Sequence, residues 1–321
     1  MSPRRCGPVH HEPRSVVYNP ASEATRAGNF HDREHVQVIT DIQPCREAVT
    51  ALRREGLSVG LVPTMGALHE GHLSLIRAAK ARCDRVALTI FVNPAQFGPG
   101  EDLRAYPRPL EADLTACRSA GVDLVFTPST EAMYPHGAAT SVHVDGLTDV
   151  LCGPFRPGHF DGVATVVSKL FHILPADAAF FGEKDYQQLI VIKRMVADLK
   201  IPIEIVGCPT VRAADGMAIS TRNAYLSADD RKQAARLSHA LFAAVEQIAR
   251  GEHEVASIVA TIREQLAGAA SLQIEYVDVV DEATLEILTT IDRPARICAA
   301  VRIASCRLID NVGVDVSSGR G

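Results

Sequence analysis

Residues 58–72 read S-V-G-L-V-P-T-M-G-A-L-H-E-G-H, and this passage decides the fold. A short valine-rich run with the length of a strand ends near Pro63; Gly66 and Gly71 then allow the backbone to pass close to a ligand. Residues 73–83, L-S-L-I-R-A-A-K-A-R-C, continue with helical spacing, which predicts a helix from Leu73. The first turn of a helix has unpaired N–H groups and carries roughly half a positive charge, a combination that suits phosphate. His69 and His72 are spaced to share one face of that turn. Beside free N–H groups, two imidazoles can bind the charge that develops when an α-phosphate is attacked.

Outward from this junction, strand and helix signals alternate. Apolar runs at 36–40, 58–62, 85–91 and 122–127 are separated by helical patterns at 46–55, from 73, and at about 110–119. Strands joined through helices of that length form βαβ units and a parallel sheet, which binds ligands beyond the carboxyl ends of its strands. H-x-G-H and F-V-N-P-A-Q-F (91–97) both follow such ends. A buried helix is predicted over 162–174, strand–glycine turn–helix over 178–188, and a strand within 203–211. Beyond, Ser227 with Asp230 resembles a capping pair, and Ala234, Leu237, Leu241, Val245 and Ile248 make a helical stripe. A second amphipathic helix over 255–266 and β-rich runs at 272–280, 296–303 and 306–309 complete the pattern. The predicted organisation is a disordered amino-terminal extension (1–35), a parallel-sheet domain (36–210), a smaller α+β domain (211–312) and a tail (313–321).

The 321 residues are 47% hydrophobic with a formal charge of −5, so there is no basic surplus to mark a nucleic-acid surface. No apolar stretch reaches the roughly 20 residues a membrane span needs, and none resembles a secretory signal. Eight cysteines without C-x-x-C spacing predict reduced thiols and a cytoplasmic location.

With 12 histidines and 22 glycines, H-x-G-H is expected by chance about 0.03 times in this chain, so its place after a strand carries weight. A zinc-protease pattern fails, because it needs histidines four apart with a glutamate beside the first. A dinucleotide-binding dehydrogenase is set aside because G-x-G-x-x-G is absent from the first strand–helix turn. G-E-K-D (182–185) would put Lys184 in a turn within reach of phosphate oxygens, although a turn lysine is more often simply solvated. M-A-I-S-T-R-N (217–223) offers two hydroxyls and a guanidinium in a segment that could close over phosphate. Gln96 and Gln188 end apolar segments and offer amides to a substrate, yet lone glutamines are usually surface residues. Each signal is weak alone; their combination carries the expectation.

Taken together, V-P-T-M-G-A-L-H-E-G-H, I-F-V-N-P-A-Q-F-G, E-D-L-R-A-Y-P-R, R-P-G-H-F-D-G-V-A-T-V-V, F-F-G-E-K-D-Y-Q-Q and T-V-R-A-A-D-G-M-A-I-S-T-R-N-A-Y-L-S resemble the pantothenate synthetase family, over about residues 36–311. The resemblance implies a Rossmann-like α/β domain with a smaller C-terminal α+β domain. It also implies ATP- and Mg²⁺-dependent condensation of (R)-pantoate with β-alanine through a pantoyl adenylate, by a cytoplasmic homodimer with no nucleic-acid or membrane partner. By matching position, it implies an ATP site of Met65, Gly66, Ala67, Leu68, His69, Glu70, Gly71, His72, Gly182, Glu183, Lys184, Asp185, Val211, Ile219, Ser220, Thr221 and Arg222. His72, His69, Lys184, Ser220 and Arg222 would be catalytic, and Gln96 and Gln188 would hold pantoate. Asn93, Arg156 and His159 fall in matching motifs as pocket walls.

Two departures accompany the resemblance. Ile219 and Thr221 stand where the family usually has methionine and serine, which predicts altered nucleotide affinity more than lost chemistry. Ala112 stands where an acidic residue is frequent, leaving the magnesium ligands unknown, with Asp113 still available. The rivals are another H-x-G-H nucleotidyltransferase, which would release pyrophosphate but no AMP, and a non-catalytic nucleotide-binding module.

Overall fold

The alternation within residues 37–208 builds a six-stranded, all-parallel sheet in the order β1-β4-β3-β2-β5-β6. The computed structural model describes residues 36–269 and 271–315, so the predicted extension and residues 316–321 of the predicted tail lie outside the described residues. In chain order the elements are β1 Gln37–Ile39, α1 Ile42–Arg54, β2 Val59–Thr64, α2 Glu70–Arg82, β3 Arg85–Ile90, α3 Leu110–Ala120, β4 Leu124–Phe126 and the one-turn α4 Thr130–Met133. They continue with α5 His159–Ile173, β5 Ala178–Gly182, α6 Tyr186–Leu199, β6 Glu204–Cys208, α7 Ala228–Ala249, α8 Val255–Ala267, β7 Leu272–Asp281, β8 Ala295–Ile303 and β9 Cys306–Val314.

The sheet is buried on both faces. Val62 packs with Leu75, Ile76 and Ala79 of α2 and Leu114 and Cys117 of α3. Val59 and Leu61, equally buried, point to the other face by the two-residue alternation of a strand. The chain leaves β2 toward β3 and β4 on one side and resumes at β5 on the other, so the order reverses between β2 and β5. At such a switch point the loops after neighbouring strands diverge and open a crevice. The loops after β3, β2, β5 and β6 carry the motifs singled out in the sequence.

The C-terminal segment forms a three-stranded antiparallel sheet, β7-β8-β9, covered by α7 and α8. Its core joins Leu237, Leu241 and Ile248 of α7 to Ile258, Ile262 and Leu266 of α8 and to Val277, Ile297 and Val301 of the sheet. Ser227 caps α7, its hydroxyl accepting the Asp230 N–H at 3.1 Å, as the spacing predicts. All described residues belong to one compact unit.

Two elements differ from the sequence pattern for physical reasons. Helix α2 begins at Glu70 rather than Leu73, because the polar E-G-H turn belongs to the helix but lacks the apolar residues that periodicity detects. Strand β9 runs to Val314 rather than stopping near Ile309, because Asp310 and Asn311 are buried by hydrogen bonds to Arg212, Arg296 and the carbonyls of Glu183 and Lys184. A polar pair normally signals exposure.

Candidate active site

The turn between β2 and α2 is built around a buried carboxylate. The Thr64 hydroxyl donates to the Thr89 carbonyl at 2.6 Å and accepts the Gly66 N–H at 3.1 Å, tying the turn to β3. Gly66 (φ +83°) and Ala67 (φ +51°) are both left-handed. Asp113, at the start of α3 and only 2% exposed, accepts the N–H of Ala67 at 2.8 Å and of Leu68 at 2.7 Å, one with each carboxylate oxygen. A Cβ at Gly66 would lie 2.9 Å from Asp113 Oδ2, so glycine is needed for space as well as conformation. Asp113 is thus a brace for the loop, which corrects the expectation that it stands free for magnesium.

His69 is the extended N-cap of α2, and its N–H donates to Nδ1 of His72 at 3.3 Å. The two rings stack with centroids 4.0 Å apart. Burial, with His69 and Lys184 nearby, pushes His72 down to about 3; burial, then Lys184, lowers His69. Both are neutral at physiological pH. Because Nδ1 of His72 accepts, its proton sits on Nε2, making that atom a hydrogen-bond donor. The His69 side chain in turn faces the backbone N–H of His72, so the two histidines close a reciprocal capping box over the first turn of α2.

The loop after β3 sets Gln96. Asn93, buried, donates from Nδ2 to Gln96 Oε1 at 3.0 Å and to the Gly162 carbonyl at 3.0 Å, while its Oδ1 accepts the Tyr134 hydroxyl at 2.7 Å. With Oε1 committed, the Gln96 amide directs its NH₂ toward Met65, 3.3 Å from the sulfur. The Gln96 carbonyl is held by His159 Nδ1 at 2.8 Å and Arg156 at 3.3 Å. Arg156 itself pairs with both oxygens of Glu101 at 2.6 Å. Burial, then Arg156, lowers His159 to about 4, keeping it neutral. Arg156 and His159 therefore position Gln96, a role motif matching did not reveal; Tyr134 gave no sequence signal, since its partner lies 41 residues away.

Two further segments complete the cavity. After β5 a short 3₁₀ turn, Glu183–Asp185, presents Lys184, its Nζ 3.6 Å from Asp185. Burial pushes the Asp185 carboxyl up, but Lys184, Arg222 and other cations outweigh it and leave it below the usual carboxylate range. After β6, the chain doubles back through a bridge between Arg212 and Ala218 into a 3₁₀ turn, Thr221–Tyr225, capped by Ser220, whose hydroxyl accepts the Arg222 N–H at 3.3 Å. Arg222 pairs with Asp102 at 2.8 and 3.1 Å, joining this segment to the loop after β3. Thr221 keeps the hydroxyl expected at its position, and it hydrogen-bonds Tyr106, whose phenol is raised chiefly by burial.

These segments enclose a cavity of about 250 Å³ at the switch point. Met65, His69, Gly71, His72, Gln96, Gly182, Lys184, Asp185, Gln188, Val211, Ile219, Ser220, Thr221 and Arg222 all line it, as do Asn93, Arg156 and His159. Gly66, Ala67, Leu68, Glu70 and Glu183 do not: the first three form the braced turn, Glu70 pairs outward with Arg77, and Glu183 turns toward Arg296. Among the described residues no group of three or more histidines, cysteines and carboxylates could hold a metal. The seven described cysteines are free, and burial holds Cys45, Cys117 and Cys298 up at about 12.

Comparison with known proteins gives one family. Residues 37–313 match the family model described as pantoate-beta-alanine ligase. A pantothenate synthetase of Moorella thermoacetica is 51% identical over 282 residues, covering 88% of this chain and 100% of that protein. One of Chelativorans sp. is 50% identical, covering 87% and 98%. Among solved structures, pantothenate synthetase from Thermus thermophilus superposes with a TM-score of 0.82 at 47% identity over 86% of this chain and 99% of that one. Pantoate-beta-alanine ligase from Francisella tularensis, complexed with beta-gamma ATP and beta-alanine, gives 0.71 at 33% identity, covering 87% and 97%.

Proposed function

The chain belongs to the pantoate–β-alanine ligase family and condenses pantoate with β-alanine in an ATP-dependent reaction, and from that premise we propose that His72, His69, Lys184, Ser220 and Arg222 carry the adenylation step. The observation behind this assignment is that these five groups, spread over 154 positions (222 − 69 + 1), line one cavity with Gln96 and Gln188. That family membership sets aside both rivals, the phosphate-acceptor transferase and the non-catalytic module.

A carboxylate is a poor acyl donor because its leaving group would be oxide. In the first step a pantoate carboxylate oxygen attacks the α-phosphorus of ATP, the bond to the bridging oxygen breaks, and pyrophosphate leaves. Negative charge grows on the α-phosphoryl and bridging oxygens. His72 Nε2–H, the Lys184 ammonium and the N–H groups of the first α2 turn supply donors and positive charge for it. Ser220 and Arg222 serve the leaving phosphates, Arg222 exchanging part of its pairing with Asp102 for them. In the second step the β-alanine amine attacks the acyl carbon of the mixed anhydride, AMP leaves with the bonding pair, and the amine loses a proton. The Gln96 amide N–H groups and Gln188 would hold pantoate throughout. The segment 217–223 would exclude water from an anhydride that hydrolyses readily.

Magnesium fits as an ion brought with the triphosphate. Asp185 is the carboxylate lining the cavity, and Mg²⁺ commonly takes one or two carboxylates with phosphate oxygens and waters. When bound, the ion would neutralise phosphate charge. The Francisella tularensis relative's bound nucleotide and β-alanine support the same ligands here. We extend the proposal, on the family resemblance, to a cytoplasmic homodimer in which residues 36–210 bind nucleotide and pantoate and the smaller domain 211–312 serves as a lid. No helix among the described residues is long and apolar enough to cross a membrane.

The test is pantoate-dependent ATP–pyrophosphate exchange. Lys184→Ala should slow exchange about 10²-fold or more, the usual effect of losing one preorganised donor. Exchange within about threefold of wild type would remove Lys184 from the mechanism.

A further inference from the structure

The turn that presents Lys184 is gripped from the C-terminal sheet. Asn311, on β9 and 5% exposed, donates from Nδ2 to the carbonyl oxygens of both Glu183 and Lys184, each at 2.9 Å. Its Oδ1 accepts from Arg296 Nη1 at 2.7 Å. A guanidinium can only donate, so Arg296 fixes which way the amide faces and points its NH₂ at the turn.

Arg296, on β8 and nearly buried, is itself locked. Its guanidinium lies 3.6 Å over the Tyr186 ring, and Nη2 reaches Glu282 at 3.1 Å and Glu183 at 3.6 Å. The residue preceding Asn311, Asp310, holds the other phosphate-facing segment: it pairs with Arg212 at 2.7 and 2.9 Å, and Arg212 also donates to the Gly216 carbonyl at 3.1 Å. Two consecutive residues of one strand thus fix the chain on both sides of the cavity. A sheet required only to be stable would do as well with apolar residues, since buried charges and amides bring a desolvation cost that such residues avoid.

We propose that Asn311, oriented by Arg296, is a positioning residue for adenylation. It fixes the Glu183–Lys184 peptides, and with them the place of the Lys184 ammonium relative to His72. The inference rests on the role assigned to Lys184 in the proposed function. No contact with substrate is implied; Asn311 acts through Lys184.

Asn311→Asp keeps the side-chain volume and the Arg296 partner but removes both donors. In the full-length enzyme, with rates normalised to active sites by the pyrophosphate burst, it should slow ATP–pyrophosphate exchange about tenfold or more, as sub-ångström misplacement does. Aminolysis of preformed pantoyl adenylate by β-alanine should fall by clearly less than exchange, since AMP is a weakly basic leaving group whose departure needs less charge stabilisation than attack on the α-phosphorus. In a Lys184→Ala background the substitution should cost no more than about a further twofold. Equal slowing of both half-reactions, or the full loss repeated in the Lys184→Ala background, would overturn the inference while leaving Lys184 in place. Lys184→Ala near wild type would overturn the inference and the Lys184 assignment together. If Asn311→Asp does not fold, Arg296→Lys replaces it: adenylation should fall by a few-fold and aminolysis by clearly less, and a symmetrical fall in both steps counts against the proposal.

Discussion

The backbone N–H of His69 donates to Nδ1 of His72 at 3.3 Å, and this one contact fixes the tautomer of His72. An accepting Nδ1 leaves the proton on Nε2, and burial keeps the ring neutral by lowering its pKa to about 3. In the proposed mechanism His72 therefore acts as a hydrogen-bond donor to charge that develops during adenylation, not as a base or a cation. His72→Ala should slow ATP–pyrophosphate exchange by about 10²–10³, whereas His72→Gln, whose amide NH₂ takes the place of Nε2–H, should recover at least about a tenth of wild-type rate. Equal rates for the two variants would show that the donor is not what matters.

Acid should destabilise the fold through two buried imidazoles. His72 and His159 have folded pKa values depressed from 6.5 to about 3 and about 4. Well above pH 6.5 both are neutral folded or unfolded and contribute nothing to the slope. As pH falls below 6.5 the unfolded chain binds protons first, so stability falls until the folded values are reached. Each imidazole adds at most about 1.4 kcal/mol per pH unit in that window. Urea titrations between pH 7 and 4.5 should give a shallower loss for the His72→Gln/His159→Gln double variant than for wild type; parallel curves would contradict the buried neutral assignment.

Gly162 of α5 meets the loop that carries Gln96. A Cβ there would lie 2.2 Å from the Ala95 carbonyl oxygen and 2.6 Å from the Gln96 nitrogen. Gly162→Ala must push the loop away, with an overpacking cost of about 1–3 kcal/mol. The KM for pantoate should rise while that for ATP stays unchanged, as read from initial rates with each substrate varied in turn. A rise confined to ATP would misassign Gln96.

Asp113 separates a brace from a metal ligand. Asp113→Ala orphans two N–H groups in the H-x-G-H turn, at about 1–3 kcal/mol each if they stay buried. ATP affinity should weaken and thermal stability fall, with the Mg²⁺ concentration for half-activation unchanged at saturating ATP. A selective shift in Mg²⁺ requirement, with stability intact, would return Asp113 to the metal.

The sequence carried much of this in local patterns. Glycine at 66 and 71, the histidine pair and the strand–helix alternation are near-neighbour signals, and the positions they predicted line the cavity or form its turn. Ser227 announced its cap because a capping contact spans three residues. Long-range uses of the same residue types were silent. Asp113 looked like a free carboxylate, Asn311 fell beyond the end of the last predicted strand, and Arg156 and His159 looked like pocket walls.

What the sequence determined by itself was which segments bury a face and which turns can approach a phosphate, because burial period and backbone freedom are properties of consecutive residues. Which turns meet was decided only in three dimensions, by a strand order that sets the ends of β3, β2, β5 and β6 side by side. A hydrogen bond such as that from Asn311 to the Lys184 carbonyl spans 127 positions. No pattern of neighbours encodes it, since its geometry exists only once the C-terminal sheet has packed against the turn.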